Sequence, residues 1–235
     1  RPSGNKGPVA VSLAGFERYH AAVAGADATI PPGAAHSQGL GAWTWERMAL
    51  TRARVIAGPP QLRARVEAAI RQALAHGGPP AQLRADAAAM RLRLLRDLPP
   101  SGPWDVKLRA GGQIEVEFVA QTLQLAQAPA HPELCHPTTR EALARLRDAG
   151  CLAAEDAATL IRADHAWRTV QGMLRITYGR GKMDRLAEST AAALLRAAAE
   201  AGLPAVDVAA LRATLDDIAQ DVRACFNRHV GEIVG

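Results

Sequence analysis

Aromatic residues are scarce in this sequence, and long apolar runs are absent. Phe, Trp and Tyr make up 4% of the 235 residues, whereas alanine and leucine are abundant. That composition favours helix over sheet. No stretch reaches the ~18 consecutive apolar residues that a membrane span needs, so we expect none. Hydrophobic residues at 49% and charged residues at 22% exclude a disordered chain, a collagen-like repeat and a coiled-coil rod.

Cysteine is also sparse. Cys135, Cys151 and Cys225 are odd in number and far apart, which argues against a disulfide framework and predicts a reducing, cytoplasmic location. The opening residues contain neither a methionine nor an apolar targeting segment, so we expect the chain to begin within a longer protein. Lys and Arg exceed Asp and Glu by 28 to 23, an excess that suits nucleotides, acidic proteins or nucleic acid.

Gly and Pro clusters divide the chain into predicted elements. Residues 1–8, RPSGNKGP, predict a turn, and residues 9–12 alternate as a short strand does. A helix capped by Ser12 follows, and residues 25–41, rich in Gly, Pro, Ala and Ser, predict an exposed loop insertion. Beyond it, apolar periodicity predicts further helices at 43–55, 61–76, 81–98, 137–149, 153–178, 189–201 and 206–230.

Residues 114–118, IEVEF, alternate like a strand, but the three- and four-residue spacing continues to Leu125 as on a helix. The apolar stretch is too long for an average strand and follows two glycines, so we predict a helix that begins near Gln113. Glu115 and Glu117 then lie in its first turns, where the helix dipole stabilises carboxylates. Because residues two apart on a helix point in nearly opposite directions, these glutamates cannot form one catalytic pair.

No P-loop, dinucleotide-binding, zinc-protease, serine-hydrolase or Cys-x-x-Cys motif occurs. His131, Cys135 and His136 lie close together in a Pro-rich segment, for which a solvated loop is favoured over a metal site. We interpret Asp164 and His165 as a pair on a helix surface. No metal site is therefore predicted in this chain.

Basic residues are the more informative candidates. Arg1 and Lys6 flank the opening turn, where backbone N–H groups and cations together suit an anion. Arg52 and Arg54 lie in a predicted helix and need partners, which Glu46, Glu115, Glu117 or a ligand phosphate could supply. Lys107 has the same two interpretations: an internal network that locks helices together, or contact with a ligand.

Three blocks of the sequence resemble the glutamine-synthetase adenylyltransferase family. Residues 1–8 resemble the end of the palm sheet in these enzymes, and residues 42–55, AWTWERMALTRARV, resemble a second block. Residues 104–107, WDVK, and 111–121, GGQIEVEFVAQ, resemble the Gly-Gly signature of the helical domain. The blocks follow the order found in the family and extend over essentially the whole chain.

The resemblance implies a two-headed enzyme, of which one half transfers AMP from ATP to a tyrosine of glutamine synthetase and the other removes it by phosphorolysis. The motifs that contain Ser3 and Thr44, RPSG and AWTWE, resemble those of the transferring half. The implied fold is mainly α. Residues 61–235 would form a helical bundle, and residues 1–60 would be the last short β/α elements of a nucleotidyltransferase palm, with the loop insertion at 25–41.

The Asp-x-Asp carboxylates that hold metal in the family are missing from this sequence and are expected to precede Arg1. The resemblance therefore implies no catalytic residue here and an inactive fragment, whereas the intact enzyme uses Mg²⁺ and ATP. It also implies candidates for phosphate contact or for bracing the junction with the palm, with Glu117 and Glu115 fixing the cations: Arg1, Lys6, Arg52, Arg54 and Lys107.

The implied partners are glutamine synthetase and the PII signalling protein, in the cytoplasm. Nucleic acid is not expected, because the arginines are dispersed over many helices, and no membrane is expected. Two alternatives stay open. The chain could come from the deadenylylating half, or it could be a helical regulatory module that docks glutamine synthetase or PII.

Overall fold

The structure, a computed structural model, describes residues 10–21, 42–76, 78–177 and 186–232. Within these ranges all regular secondary structure is helical, which confirms the mainly α fold. No helix in the described ranges has both the length and the apolar character of a membrane span. The helices are α1 Leu13–Ala21, α2 Thr44–Leu50, α3 Pro60–Ala75, α4 Pro80–Asp97, α5 Gln113–Gln127, a 3₁₀ turn Pro132–Leu134, α6 Thr139–Asp148, α7 Ala154–Thr177, α8 Glu188–Glu200 and α9 Val208–His229.

Most predicted helices are confirmed to within about two residues. Ser12 caps α1 as expected, since its Oγ accepts a hydrogen bond from the Gly15 amide at 3.1 Å. Helix α5 begins at Gln113, so the helical interpretation of residues 114–118 is confirmed. The predicted turn at 1–8 and the insertion at 25–41 lie outside the described residues. So does the start of the predicted strand at 9–12, whose described part forms no strand. The assignment of residues 1–60 to a palm stays a prediction, because only 10–21 and 42–60 of that range are described.

The prediction for residues 43–55 was wrong in its length, because α2 ends at Leu50. Thr51 follows as the C-cap, and its hydroxyl donates to the Met48 carbonyl at 2.7 Å. A threonine side chain that bonds to the backbone in this way competes with continued helix. Arg52 and Arg54 consequently lie beyond the helix, in a turn and in irregular structure.

The chain divides into two compact units, one of residues 1–87 and 121–138 and one of residues 88–120 and 139–235. The boundaries fall within α4 and α5. The predicted division at residue 60 stays a prediction, because much of the 1–60 part lies outside the described residues.

In the first unit, α1 and α2 pack against α3, which also contacts the 3₁₀ turn. Helix α3 begins with Pro60 at its first position, where the missing N–H leaves no intrahelical bond unmade. It contributes Ala69, Ala73 and Leu74 to the buried side, and α2 contributes Met48. Ala69 and Ala73, which are small and lie four positions apart on one face, let the neighbouring helices approach closely.

In the second unit, α7 is the central helix and packs against α6, α8 and α9. Its buried residues recur every three or four positions, as do those of α9, so each helix presents a continuous apolar stripe. Those of α7 are Asp156, Ala157, Leu160, Ala163, Asp164, Ala166, Trp167, Val170 and Leu174. Those of α9 are Leu211, Leu215, Ile218, Ala219, Val222, Cys225 and Phe226.

The glycine pair before α5 allows the backbone of α9 to come close. Gly111 has φ +68°, and a Cβ built there would lie 1.8 Å from the carbonyl oxygen of Ala219. A Cβ on Gly112 would lie 2.7 Å from the carbonyl oxygen of Val106. The Gly-Gly signature is therefore explained by packing: no side chain fits at either position.

We expect Gly111→Ala to lower the free energy of unfolding by about 3 kcal/mol, because it adds steric overlap with α9 to the strain of a positive φ. Gly150→Ala is the matched control, since Gly150 has φ +73° but nothing within 4 Å of the added Cβ. Its expected loss is about 1 kcal/mol. Denaturant unfolding of both variants tests the difference, and equal losses would show that the approach of α9 is unimportant.

Candidate functional site

Glu115 lies in the first turn of α5 with no exposed surface. One carboxylate oxygen accepts hydrogen bonds from Arg91 Nε at 2.8 Å and pairs with Arg223 at 3.2 Å, while the other accepts from the Gly111 amide at 2.9 Å. Each lone pair used here is matched by a donor, which is the condition under which a buried carboxylate is tolerated. The carboxylate thereby connects α4, α5 and α9.

Arg91 is itself completely buried and extends the network into the loop before α5. Its Nη2 donates to the carbonyls of Leu108 and Arg109 at 2.8 and 2.9 Å. Burial lowers the pKa of Arg91, an effect that the neighbouring Glu115 charge opposes. Arg109 in turn pairs with Asp216 of α9 at 2.5 Å. The loop is thus held through its carbonyls as well as its side chains.

Glu117 takes part in a different cluster. It accepts from Gln113 Nε2 at 2.9 Å and pairs with Arg168 of α7 at 3.2 Å. Arg168 also binds both oxygens of Asp164 at 2.9 Å, and Arg140 of α6 approaches Asp164 at 3.4 Å. Glu115 and Glu117 therefore serve separate networks, as their spacing on the helix requires.

The prediction that Asp164 and His165 form a surface pair was wrong for Asp164. Its side chain is 1% exposed, whereas His165 is exposed. The reason is the orientation of α7, which places Asp164 on the same buried stripe as Leu160 and Trp167. The pairing with arginine makes this burial possible.

A third carboxylate cluster lies where α7 begins. Asp156 accepts from Arg228, from His229 Nε2 at 2.7 Å and from the Cys225 thiol at 3.4 Å. Burial opposes the charged form of Asp156, but these hydrogen bonds outweigh it and lower its pKa to about 2. Burial and the Asp156 charge raise the pKa of Cys225 to about 12, so this thiol is unreactive at neutral pH.

These networks share one property: each buried carboxylate in the described ranges, Glu115, Glu117, Asp156 and Asp164, is bonded to at least one arginine. No group of three or more potential metal ligands occurs among the described residues. The arrangement suits cross-bracing of helices, because each pair joins different elements or successive turns.

The structure places three of the five predicted basic candidates on the surface. Arg52, Arg54 and Lys107 are exposed, and Arg1 and Lys6 lie outside the described residues. The prediction that these side chains contact phosphate or brace a junction stays a prediction. Glu46, which the sequence suggested as a partner for arginine, accepts from the Tyr19 hydroxyl at 2.6 Å and the Trp43 amide at 3.0 Å.

Two residues of the first unit were missed by the sequence analysis. Arg47 is 2% exposed, and its Nε and Nη2 have no hydrogen-bond partner among the described residues. His20 is 5% exposed, and its Nδ1 is likewise unpartnered there. Burial and then the charge of Arg47 lower the pKa of His20 to about 4. Nothing in the local pattern distinguishes Arg47 from the exposed arginines that follow it.

We expect Glu115→Gln to lower the free energy of unfolding by about 3 kcal/mol, because it leaves the buried Arg91 without its counter-charge. Glu155→Gln is the matched control, since Glu155 also lies in the first turn of a helix but is exposed. Its expected change is within about 0.5 kcal/mol. If urea denaturation gives similar values for both variants, the bracing role of Glu115 is wrong.

His20 predicts an acid-dependent loss of stability. A folded-state pKa of about 4, below the ordinary 6.5, means that the unfolded chain binds the proton first as pH falls. The contribution of neutral His20 to the free energy of unfolding is therefore complete above pH 6.5. It decreases by about 3 kcal/mol between pH 6.5 and pH 4. Urea midpoints across this range should change less with pH in His20→Gln than in the parent. The control His165→Gln, which removes an exposed imidazole, should follow the parent profile.

Comparisons with known proteins confirm the family resemblance. The chain is 36% identical over 232 residues to the bifunctional glutamine synthetase adenylyltransferase/adenylyl-removing enzyme of Rhodopseudomonas palustris strain TIE-1, which is 98% of this chain and 21% of that protein. The Xanthobacter autotrophicus enzyme of the same name is 37% identical over 97% of this chain and 21% of its own length. The Caulobacter vibrioides enzyme is 43% identical over 75% of this chain and 16% of its own length.

The chain therefore spans about a fifth of the length of these relatives. Residues 91–230 match the family model described as GlnD PII-uridylyltransferase. This range contains the glycine pair, Glu115, Glu117 and all of α6 to α9. The chain is similar over nearly its whole length to part of the bifunctional glutamine synthetase adenylyltransferases. Because the matched range makes up more than half of the 235 residues, the chain belongs to the GlnD PII-uridylyltransferase family.

Proposed function

We propose that this chain is part of a cytoplasmic enzyme that transfers AMP from ATP to a tyrosine of glutamine synthetase, with Mg²⁺ as the metal. The similarity over 98% of the chain to relatives named for this activity carries the proposal. Ser3 and Thr44 support the adenylyl-transferring half. In the reaction, the tyrosine oxygen attacks the α-phosphate of ATP in line, and pyrophosphate leaves.

Within that enzyme, we assign this chain a scaffold role. Transfer through Mg²⁺ needs carboxylates that are free to bind the metal and the triphosphate. The buried carboxylates described above are instead bonded to arginines that join helices. The metal-binding acids would come from elsewhere in the longer protein, and the chain alone would be inactive.

The exposed basic side chains are proposed to contact the phosphates of ATP or to brace the palm. Arg54 and Lys107 are exposed in irregular segments rather than within helices. A guanidinium in such a position can adopt the bidentate geometry that phosphate requires. Arg1, Lys6 and Arg52 complete the proposed set, with Glu115 and Glu117 stabilising the helices that support it.

We expect Arg54→Ala in the intact enzyme to weaken ATP binding about tenfold, since a charge-assisted hydrogen bond to phosphate is lost. Arg65→Ala is the control, because Arg65 is an exposed arginine of α3 in the same unit. ATP titrations of AMP incorporation into glutamine synthetase give KM and kcat for both variants. Unchanged ATP affinity in Arg54→Ala would contradict ligand contact and leave only a structural role.

The names of the relatives also include the adenylyl-removing activity. If the chain comes from that half, the intact enzyme carrying Arg54→Ala would lose phosphorolysis of adenylylated glutamine synthetase while AMP transfer stays normal. A regulatory docking role, which the PII named in the family description favours, predicts instead that the isolated chain retains PII in a pull-down. Each alternative thus gives a result that the leading proposal does not.

A further inference from the structure

The guanidinium of Arg47 introduces a charge into the interior of the first unit without an ion pair to any carboxylate of the described residues. Arg47 is 2% exposed, and no carboxylate lies within ion-pair distance of it in the described part of the chain. The adjacent Glu46 uses one oxygen for both the Tyr19 hydroxyl and the Trp43 amide. Glu46 therefore accepts hydrogen bonds from α1 and from the start of α2 but not from Nε or Nη2 of Arg47, on which its charge acts without a hydrogen bond.

Arg91 shows how the same fold treats a buried arginine that is structural. Its Nε binds Glu115 and its Nη2 binds two carbonyls of a loop, so that only Nη1 has no hydrogen-bond partner among the described residues. By contrast, Nε and Nη2 of Arg47 are buried donors without an acceptor among the described residues. Burial lowers the pKa of Arg47, and the nearby Glu46 and Tyr19 oppose this effect only in part. A water molecule could accept a hydrogen bond here, but an anion would also offset the part of the charge that Glu46 leaves uncompensated.

His20 adds a second buried polar group beside Arg47. Helix α1, which carries it, is linked to α2 through the Tyr19–Glu46 hydrogen bond. The imidazole is kept neutral by burial and by the positive charge of Arg47, so it adds no competing charge. Its Nδ1 has no partner within the described ranges. A guanidinium fork and a neutral imidazole together can donate to and surround one tetrahedral oxyanion.

We propose that Arg47, with His20 beside it, binds a phosphate group. The choice of phosphate over other oxyanions rests on the proposed function, in which a nucleotide is the substrate and pyrophosphate the product. The phosphate could belong to the nucleotide or to a free inorganic anion, and both present the same tetrahedral group of oxygens to the guanidinium.

Isothermal titration of the 235-residue chain tests this site with three probes: pyrophosphate, inorganic phosphate, and ATP in the presence of EDTA. The parent chain should bind at least one of them, and the order of affinities distinguishes a nucleotide from a free anion. Arg47→Met should weaken that binding about tenfold or more, because charge-assisted hydrogen bonds are lost. Arg47→Lys keeps the charge but not the fork and should also bind more weakly.

Arg18→Met is the matched control, since it removes an exposed arginine from α1 in the same unit. It should leave the affinity unchanged. Equal affinity in the parent and in Arg47→Met, or no binding of any probe to the parent, overturns the site. The AMP-transfer assay of the intact enzyme is a separate measurement, so failure of the proposed function is distinguishable from failure of this site.

Melting temperatures in phosphate-free buffer provide a second readout that also checks folding. Replacement of a buried unpaired charge by an apolar side chain of similar length should leave the melting temperature unchanged or raise it. The parent should then gain melting temperature on addition of pyrophosphate, and Arg47→Met should gain less. A lower melting temperature of Arg47→Met without phosphate would show that the protein already compensates the charge, which contradicts the proposal.

Discussion

The buried carboxylate of Glu115 is the interaction on which the second unit depends. It neutralises Arg91 and Arg223, accepts the Gly111 amide and so joins two helices and a loop to the start of α5. Loss of this one acid would leave two arginines facing each other in the interior. The neighbouring clusters around Asp164 and Asp156 repeat the arrangement along α7. The unit is therefore a helical bundle whose apolar stripes are supplemented by ion pairs at defined points.

Much of this architecture could be predicted from the sequence. Gly and Pro clusters marked the helix ends, and the three- and four-residue spacing identified α5 although residues 114–118 alternate like a strand. The separation of Glu115 and Glu117 onto different faces followed from helical geometry alone. These features are local, and local periodicity is what a single sequence reports best.

The partners of the charged residues could not be predicted, because they lie far apart in the chain. Arg91 and Glu115 are separated by 24 residues, and Glu117 and Arg168 by 51. The burial of Asp164 and Arg47 likewise depends on which helices pack against them. Arg52 and Arg54 were assigned to a helix that Thr51 ends through its own side chain. Composition indicates that arginines need partners, but only packing selects them.

The loop before α5 has a consequence for the order in which this protein folds. Two of its carbonyls, those of Leu108 and Arg109, are acceptors for a side chain 17 and 18 residues earlier. Turn hydrogen bonds, such as that from the Gly112 amide to the Arg109 carbonyl, shape the loop locally, and Arg91 holds these turns against α4. The native loop is therefore completed only when α4 is in place, which makes the formation of the two segments cooperative.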